Sequence, residues 1–281
     1  MPVAIVTDST CDLPPDLAGE FGVTVVPLTI SFGEETYRDG VDITAAEFYE
    51  RLATSKVMPR TSQPPANAFE AVYRRLAESA DGIVSIHISS RLSGTLNSAS
   101  VAREAVGHDV HVELIDSYNV GLGLGEIVLA AARVAREGGS FEDVVRAARG
   151  AIPRVHVVVA LDTLEYLRRG GRIGRASAWA GSMLNIKPIV HVEGGEVAPL
   201  ERVRTKRRAF ERLVELATQD RNPERLYVAS AGNDVDALAL RDRVAPLLPH
   251  TELVMGRIGP AVGVYTGPGT FGFCSVRRAR P

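Results

Sequence analysis

The chain has 281 residues, 45% of them hydrophobic and 23% charged, which calls for two domains or one large α/β unit. Its 32 basic and 34 acidic side chains leave a formal net charge of −2, an argument against a general nucleic-acid or membrane-surface protein. Cys11 and Cys274 lie far apart without metal-ligand spacing, no apolar run reaches membrane-spanning length, and the opening MPVAIVTDST lacks a secretory pattern. The expected compartment is therefore the cytoplasm, without integral membrane contact.

In chain order, VAIVTD (3–8), GIVSIHIS (82–89), DVHVELID (109–116) and VHVVVALD (155–162) have the β-branched runs of buried parallel strands. The segment 23–40 breaks this rhythm as a small excursion of extended chain, and Thr44 with Glu47 makes a capping-box pattern before FYERLA. Helical spacing follows in 64–79, with Pro65 suited to a first turn, and in 125–139, with Gly138 and Gly139 suited to an exit. Strand–helix alternation of this kind predicts a mainly parallel sheet with flanking helices.

Beyond residue 160 the rhythm changes. IVHVEGGEVAPLERV (189–203) predicts a hairpin turning at Gly194 and Gly195. A helix over 206–219, a strand over 225–232, a helix over 234–248 and a strand over 250–258 follow. The predicted architecture is α/β with an N-terminal domain over 1–160, mainly a parallel sheet, and a C-terminal domain over 161–281 with a mixed sheet.

Three segments share one chemistry: RTSQPP (60–65), SSRLSGTLNS (89–98) and TGPGT (266–270) are rich in Ser, Thr and Gly, and the first two precede helices. Hydroxyls beside the unpaired N–H groups of a helix N-terminus suit a carboxylate or phosphate. Ordinary helix capping by Thr61, Ser62 and Ser93 is the competing reading. Other signals carry less. GLGLGE (121–126) has G-x-G-x-G spacing, not the dinucleotide fingerprint, and fits close helix packing. No P-loop and no G-x-S-x-G elbow occurs. His108 and His111 fit a surface pair, Cys11 a packed thiol, and Asp8 a loop-ordering hydrogen-bond acceptor. Two basic clusters, RRGGRIGR (168–175) and ERVRTKRR (201–208), fit either solvated arginines or a docking surface for an acidic or phosphorylated partner. Gly170, Gly171 and Gly174 bring backbone close to whatever those arginines meet.

The motifs TDSTCDLP (7–14), YRDGVDIT (37–44), PRTSQPP (59–65), SSRLSGTLNSA (89–99), LRRGGRIG (167–174), RVRTKRRA (202–209) and TGPGTFG (266–272) occur in this order. Together they resemble the DegV family, which includes the fatty-acid-binding subunit of bacterial fatty acid kinase. The resemblance spans essentially the whole chain. It implies a long-chain fatty acid between two α/β domains, its carboxylate held by Thr61 and Ser93. With the neighbouring loop residues the expected ligand-binding set is Thr61, Ser62, Ser93, Gly94, Thr95, Tyr265 and Thr266. The resemblance also implies no chemistry by this chain, no cofactor beyond the bound lipid, and no metal. A separate fatty acid kinase catalytic subunit phosphorylates the carboxylate in this scheme, with Arg172, Arg202 and Arg204 facing that partner. One position departs from the pattern. Members commonly carry histidine two residues before the first glycine of the GPG motif, and this chain has Tyr265, which keeps a hydrogen-bonding hydroxyl but no imidazole. Two alternatives stand beside this reading: a stand-alone transferase or hydrolase using Asp8, Cys11 or Ser93, and a nucleic-acid-binding regulator using RTKRR.

Overall fold

The structure is a computed structural model that describes residues 2–182 and 186–279. The first half runs β1 (Val3–Asp8), α1 (Pro15–Glu20), β2 (Val23–Val26), β3 (Thr29–Phe32), β4 (Glu35–Arg38), α2 (Ala45–Thr54), β5 (Arg60–Ser62), α3 (Ala66–Ala77), β6 (Gly82–His87), α4 (Thr95–Val106), β7 (Val112–Asp116), α5 (Leu122–Arg136) and α6 (Phe141–Ala151). The second runs β8 (Val155–Ala160), α7 (Glu165–Arg169), β9 (Lys187–Glu193), β10 (Glu196–Val203), α8 (Lys206–Ala217), β11 (Arg225–Ser230), α9 (Val235–Val244), β12 (Glu252–Arg257), α10 (Pro260–Thr266) and β13 (Phe271–Val276).

Four strands form a parallel sheet in the order β2-β1-β6-β7. Every residue of β6 is buried, as a strand covered by helices on both faces must be. Phe69 and Tyr73 of α3 and Ala99 and Ala102 of α4 pack on one face. Leu124, Ile127 and Val128 of α5, with Val144 and Ala148 of α6, pack on the other. The second sheet has the order β10-β9-β8-β13-β11-β12, antiparallel throughout except for the β11–β12 pair. Leu213 of α8 and Leu240 and Val244 of α9 cover its outer face. Its inner face meets α5, because Tyr227, Cys274 and Val276 share a core with that helix.

Two expectations need correction. The run 155–162 was expected in the parallel sheet, yet β8 lies antiparallel between β9 and β13 in the second. An apolar strand buried on both faces carries no mark of its direction or of the sheet it joins. Strand pairing therefore passes to the second sheet with β8, at Val155. The extended excursion is also shorter at its start than 23–40, since Val23–Val26 pairs in parallel with β1. What remains is a separate three-stranded antiparallel sheet, β4-β3-β5. The hairpin is as expected: Gly194 and Gly195 at φ 59° and 83° supply the two left-handed residues that a tight two-residue turn requires. The Thr44–Glu47 capping box is also present.

The small sheet is fixed to α10 through Asp39, which is 4% exposed. Its carboxylate accepts from the Ser9 hydroxyl and the Ala261 N–H, but burial outweighs both and pushes its pKa up to about 6. Between roughly pH 4 and that value the folded chain holds a proton that the unfolded chain has released. Stability from this group therefore falls as pH rises through that window. Asp39→Asn is expected to remove this slope and to gain up to about 3 kcal/mol relative to wild type above it. Denaturant titrations across the window check this, and equal slopes in both proteins would exclude Asp39 as the source.

Candidate functional site

The three hydroxyl loops converge. Thr61 sits at the centre of β5, whose neighbours Arg60 and Ser62 point to solvent while Thr61 turns inward. Its hydroxyl meets the Tyr265 hydroxyl at 2.6 Å across 204 residues of sequence. Tyr265 is held by its surroundings: a methyl group at Gly170 would stand 2.3 Å from its ring, so only glycine leaves room for it there. The Arg172 guanidinium lies 5.1 Å from the centre of the same ring. Ser93 faces this cluster from the loop before α4. Its hydroxyl bonds the Thr95 hydroxyl at 2.8 Å and accepts from the Thr95 N–H at 3.3 Å. No side chain caps α4 at Gly94. The loop is anchored to the hairpin turn by Ser89, whose hydroxyl donates to the Gly195 carbonyl at 2.7 Å.

Thr61, Ser93, Arg172, Tyr265 and Thr266 all line one pocket, with Leu28, Ile88, Leu92 and Val262 among its apolar walls. Among the described residues its lining holds one cation, Arg172, and no carboxylate. Among the described residues that guanidinium donates only to the Leu92 and Gly170 carbonyls, at 3.1 and 2.8 Å, and meets no carboxylate. Hydroxyl donors around such a cation suit an anion with two oxygens.

Not every expected residue reaches this pocket. Ser62 is turned outward, and Thr95 is buried with its hydroxyl on Ser93. Gly94 lies under the Gln63 side chain, where a methyl group would come within 2.2 Å of Oε1. Arg172 lies on the pocket wall itself. Arg202 and Arg204 are exposed and outside the lining, with the Arg202 guanidinium 5.4 Å from the Trp179 ring centre. The other cations of the two basic clusters pair with acids: Arg168 and Arg169 with Glu165, Arg175 with Glu193, Lys206 with Asp236, and Arg207 and Arg208 with Glu211. Among the described residues, Arg172, Arg202 and Arg204 are the members left without a carboxylate.

An apolar tunnel continues from the pocket, and Val120, Leu167, Val197, Val262 and Thr266 line both. It runs beside the inner face of the second sheet, past Val157, Val159, Val192 and Cys274, and the start of α5 forms its opposite wall. The free volumes of the two regions are about 80 and 70 Å³. His191 is the basic side chain on this lining, and burial lowers its pKa, which keeps it neutral.

The remaining candidates have structural roles. Asp8 accepts from the Thr10 and Ile88 N–H groups at 3.1 and 3.0 Å and meets His87 Nδ1 at 3.0 Å, ordering its loop. Burial pushes the Cys11 thiol far up, away from a nucleophile's range. Gly123 and Gly125 of GLGLGE are packing glycines, where methyl groups would come within 2.5 Å of Asn119 and of the Cys11 carbonyl. His111 stacks on Phe141 with ring centres 4.1 Å apart. Among the described residues, no three His, Cys, Asp or Glu side chains are grouped to hold a metal, and no helix is long and apolar enough to cross a membrane.

Comparison with known proteins bears on the whole chain. The model of the family described as "Uncharacterised protein, DegV family" matches residues 2–278. A fatty-acid-binding DegV family protein from Thermus thermophilus superimposes with a TM-score of 0.91 at 37% identity, covering 99% of this chain and 100% of that one. DegV of Bacillus subtilis, a fatty acid binding protein, gives 0.91 at 33% identity over the same shares, 99% and 100%. A stearic-acid-binding protein from Eubacterium ventriosum gives 0.90 at 28%, covering 98% of each chain. The motifs that meet around Tyr265, the two-sheet fold and the full-length match lead to one assignment: the chain belongs to the DegV family.

Proposed function

We propose that this protein binds a long-chain fatty acid and presents its carboxylate to a separate kinase subunit, with no chemistry of its own on the lipid. The observation that carries the reading is the continuity of an apolar tunnel with a pocket of hydroxyls and one arginine that meets no carboxylate among the described residues. The acyl chain lies in the tunnel, where each buried methylene contributes about 0.8 kcal/mol. The carboxylate takes hydrogen bonds from Thr61, Ser93 and Tyr265, with Arg172 balancing its charge. Tyr265 fills the place of the family's usual histidine as a neutral donor, so binding survives while proton shuttling by an imidazole does not. Exposed Arg202 and Arg204, free of internal acids, suit an acidic surface on the kinase. The protein acts in the cytoplasm, and the lipid lies between its two α/β domains.

Native mass spectrometry of the purified protein, followed by a coupled assay with ATP and a fatty acid kinase catalytic subunit, tests this. A retained lipid mass is expected, with phosphoryl transfer only when both proteins are present. Arg202→Glu with Arg204→Glu should leave fatty-acid affinity within about twofold and cut coupling by tenfold or more, as loss of charged contacts at an interface does. ATP turnover by the isolated chain, or a charge-reversed variant that loses lipid affinity as a pocket variant does, would overturn the scheme.

A further inference from the structure

A second and larger opening lies on the other side of the tunnel wall. It is a solvent-open groove of about 760 Å³, with Leu13, Ala18, Val23, Val25, Met255 and Pro260 among its lining. Among the described residues one is common to the linings of tunnel and groove: Asp12. Its position is over-determined. The backbone is left-handed at φ 52°, and the carboxylate is wedged between backbones of both halves of the molecule. A methyl group at Gly259 would stand 2.4 Å from Oδ1, and one at Gly121 would stand 3.3 Å from Oδ2. The Gly259 N–H donates to this carboxyl, while burial pushes its pKa well above the usual carboxylate range.

A polar group in that place is unfavourable for an alkyl chain. Methylenes pressed against it would strip its remaining hydration and its Gly259 contact without replacing either. The groove just beyond has apolar side chains beside the polar Asp39, Thr44, Asp234 and Arg257, and the carboxyl is the barrier between it and the apolar tunnel. We propose that Asp12 is a specificity-determining stop: it closes the acyl tunnel against the outer groove and so limits the length of chain the protein accepts. This inference rests on the fatty-acid reading above, and its test separates the two.

Dissociation constants are measured for straight-chain saturated acids from dodecanoic to tetracosanoic, each below its micelle threshold. In wild type the affinity should rise about fourfold per methylene until the tunnel is full, and then level off. Asp12→Gly removes the carboxyl without straining a left-handed backbone and should carry the rise at least two methylenes further, an advantage of about tenfold or more for the longest acids. Asp12→Asn, equal in size and tolerant of the same backbone, should keep the wild-type limit. Asp12→Ser, which retains an acceptor for the Gly259 N–H, replaces the glycine variant if that does not fold. An unshifted limit in the small variants, or a uniform loss at every length, overturns the role of Asp12. Wild type that binds no acid of any length instead refutes the fatty-acid reading and takes this inference with it.

Discussion

Ser93→Ala is expected to weaken binding of a free long-chain acid by roughly 10- to 150-fold, the loss for one hydrogen bond to a charged group of about 1.5–3 kcal/mol. A neutral analogue of the same length, such as the methyl ester, should lose little, because the tunnel walls are untouched. The geometry makes this a sharp test, since Ser93 already has a second occupation. Its hydroxyl accepts from the Thr95 N–H and bonds the Thr95 hydroxyl at the start of α4. If that turn were its whole role, the variant would lose about 1 kcal/mol of folding stability and bind acid and ester equally less well. Thr61→Ala should show the same discrimination with a different second cost, the loss of its 2.6 Å partner at Tyr265. Affinities for acid and ester, measured beside denaturant midpoints, separate the two roles. Equal losses for both ligands would return Ser93 to helix capping.

How much of this site was legible in the sequence depends on what each residue does. Thr61 and Ser93 stood out because hydroxyls before helices are anion-site chemistry, and both line the pocket. Ser62 shares the hydroxyl chemistry of Thr61, but strand alternation sends adjacent side chains to opposite faces, and β5 shows that alternation. In the sequence Arg172 looks like its neighbouring surface arginines; only the fold sets its guanidinium beside the Tyr265 ring, for which Gly170 leaves room, on the pocket wall. The tunnel was illegible for a deeper reason. Val157 and Val159 line it while Val158, between them, packs in the core behind, and nothing in the sequence distinguishes the two uses. Asp12 was hidden inside TDSTCDLP because its role comes from glycines more than 100 residues away in sequence.

The fold divides along the same line. Local chemistry announced the Gly194–Gly195 turn and the Thr44 capping box, and both are present. The Ser140–Asp143 capping box that starts α6 is equally local. Sheet membership of β8 is a tertiary outcome: the strand joins whichever neighbours leave its two apolar faces covered, and here those are β9 and β13.

Glu126→Leu is expected to destabilise the protein by about 3–5 kcal/mol, the usual result of removing one partner from a buried ion pair. Glu126 is 3% exposed on α5, the helix between the two sheets. Its carboxylate accepts from Arg225 at 2.9 and 3.0 Å, from Arg133 at 3.1 Å, and from the Tyr227 hydroxyl. Arg225 and Tyr227 belong to β11, so this one carboxylate ties the helix under the parallel sheet to the second sheet. Leucine would leave Tyr227 without its acceptor and Arg225, 12% exposed, with Glu252 as its remaining acid. The cost then lies in the buried Tyr227 hydroxyl and the Arg225 Nη1 left without an acceptor, with Glu252 the one acid still on Arg225, more than in the lost attraction. Glu126→Leu combined with Arg225→Leu should therefore recover most of the loss, because an apolar pair in place of a buried ion pair is often neutral. Denaturant unfolding of the single and double variants decides it. If the double variant is as unstable as the single, the buried charge is not the cause, and packing of α5 against β11 must be. Because the same helix begins at Leu122 on the tunnel wall, the single variant should also weaken acid and ester alike, unlike Ser93→Ala, which discriminates between them.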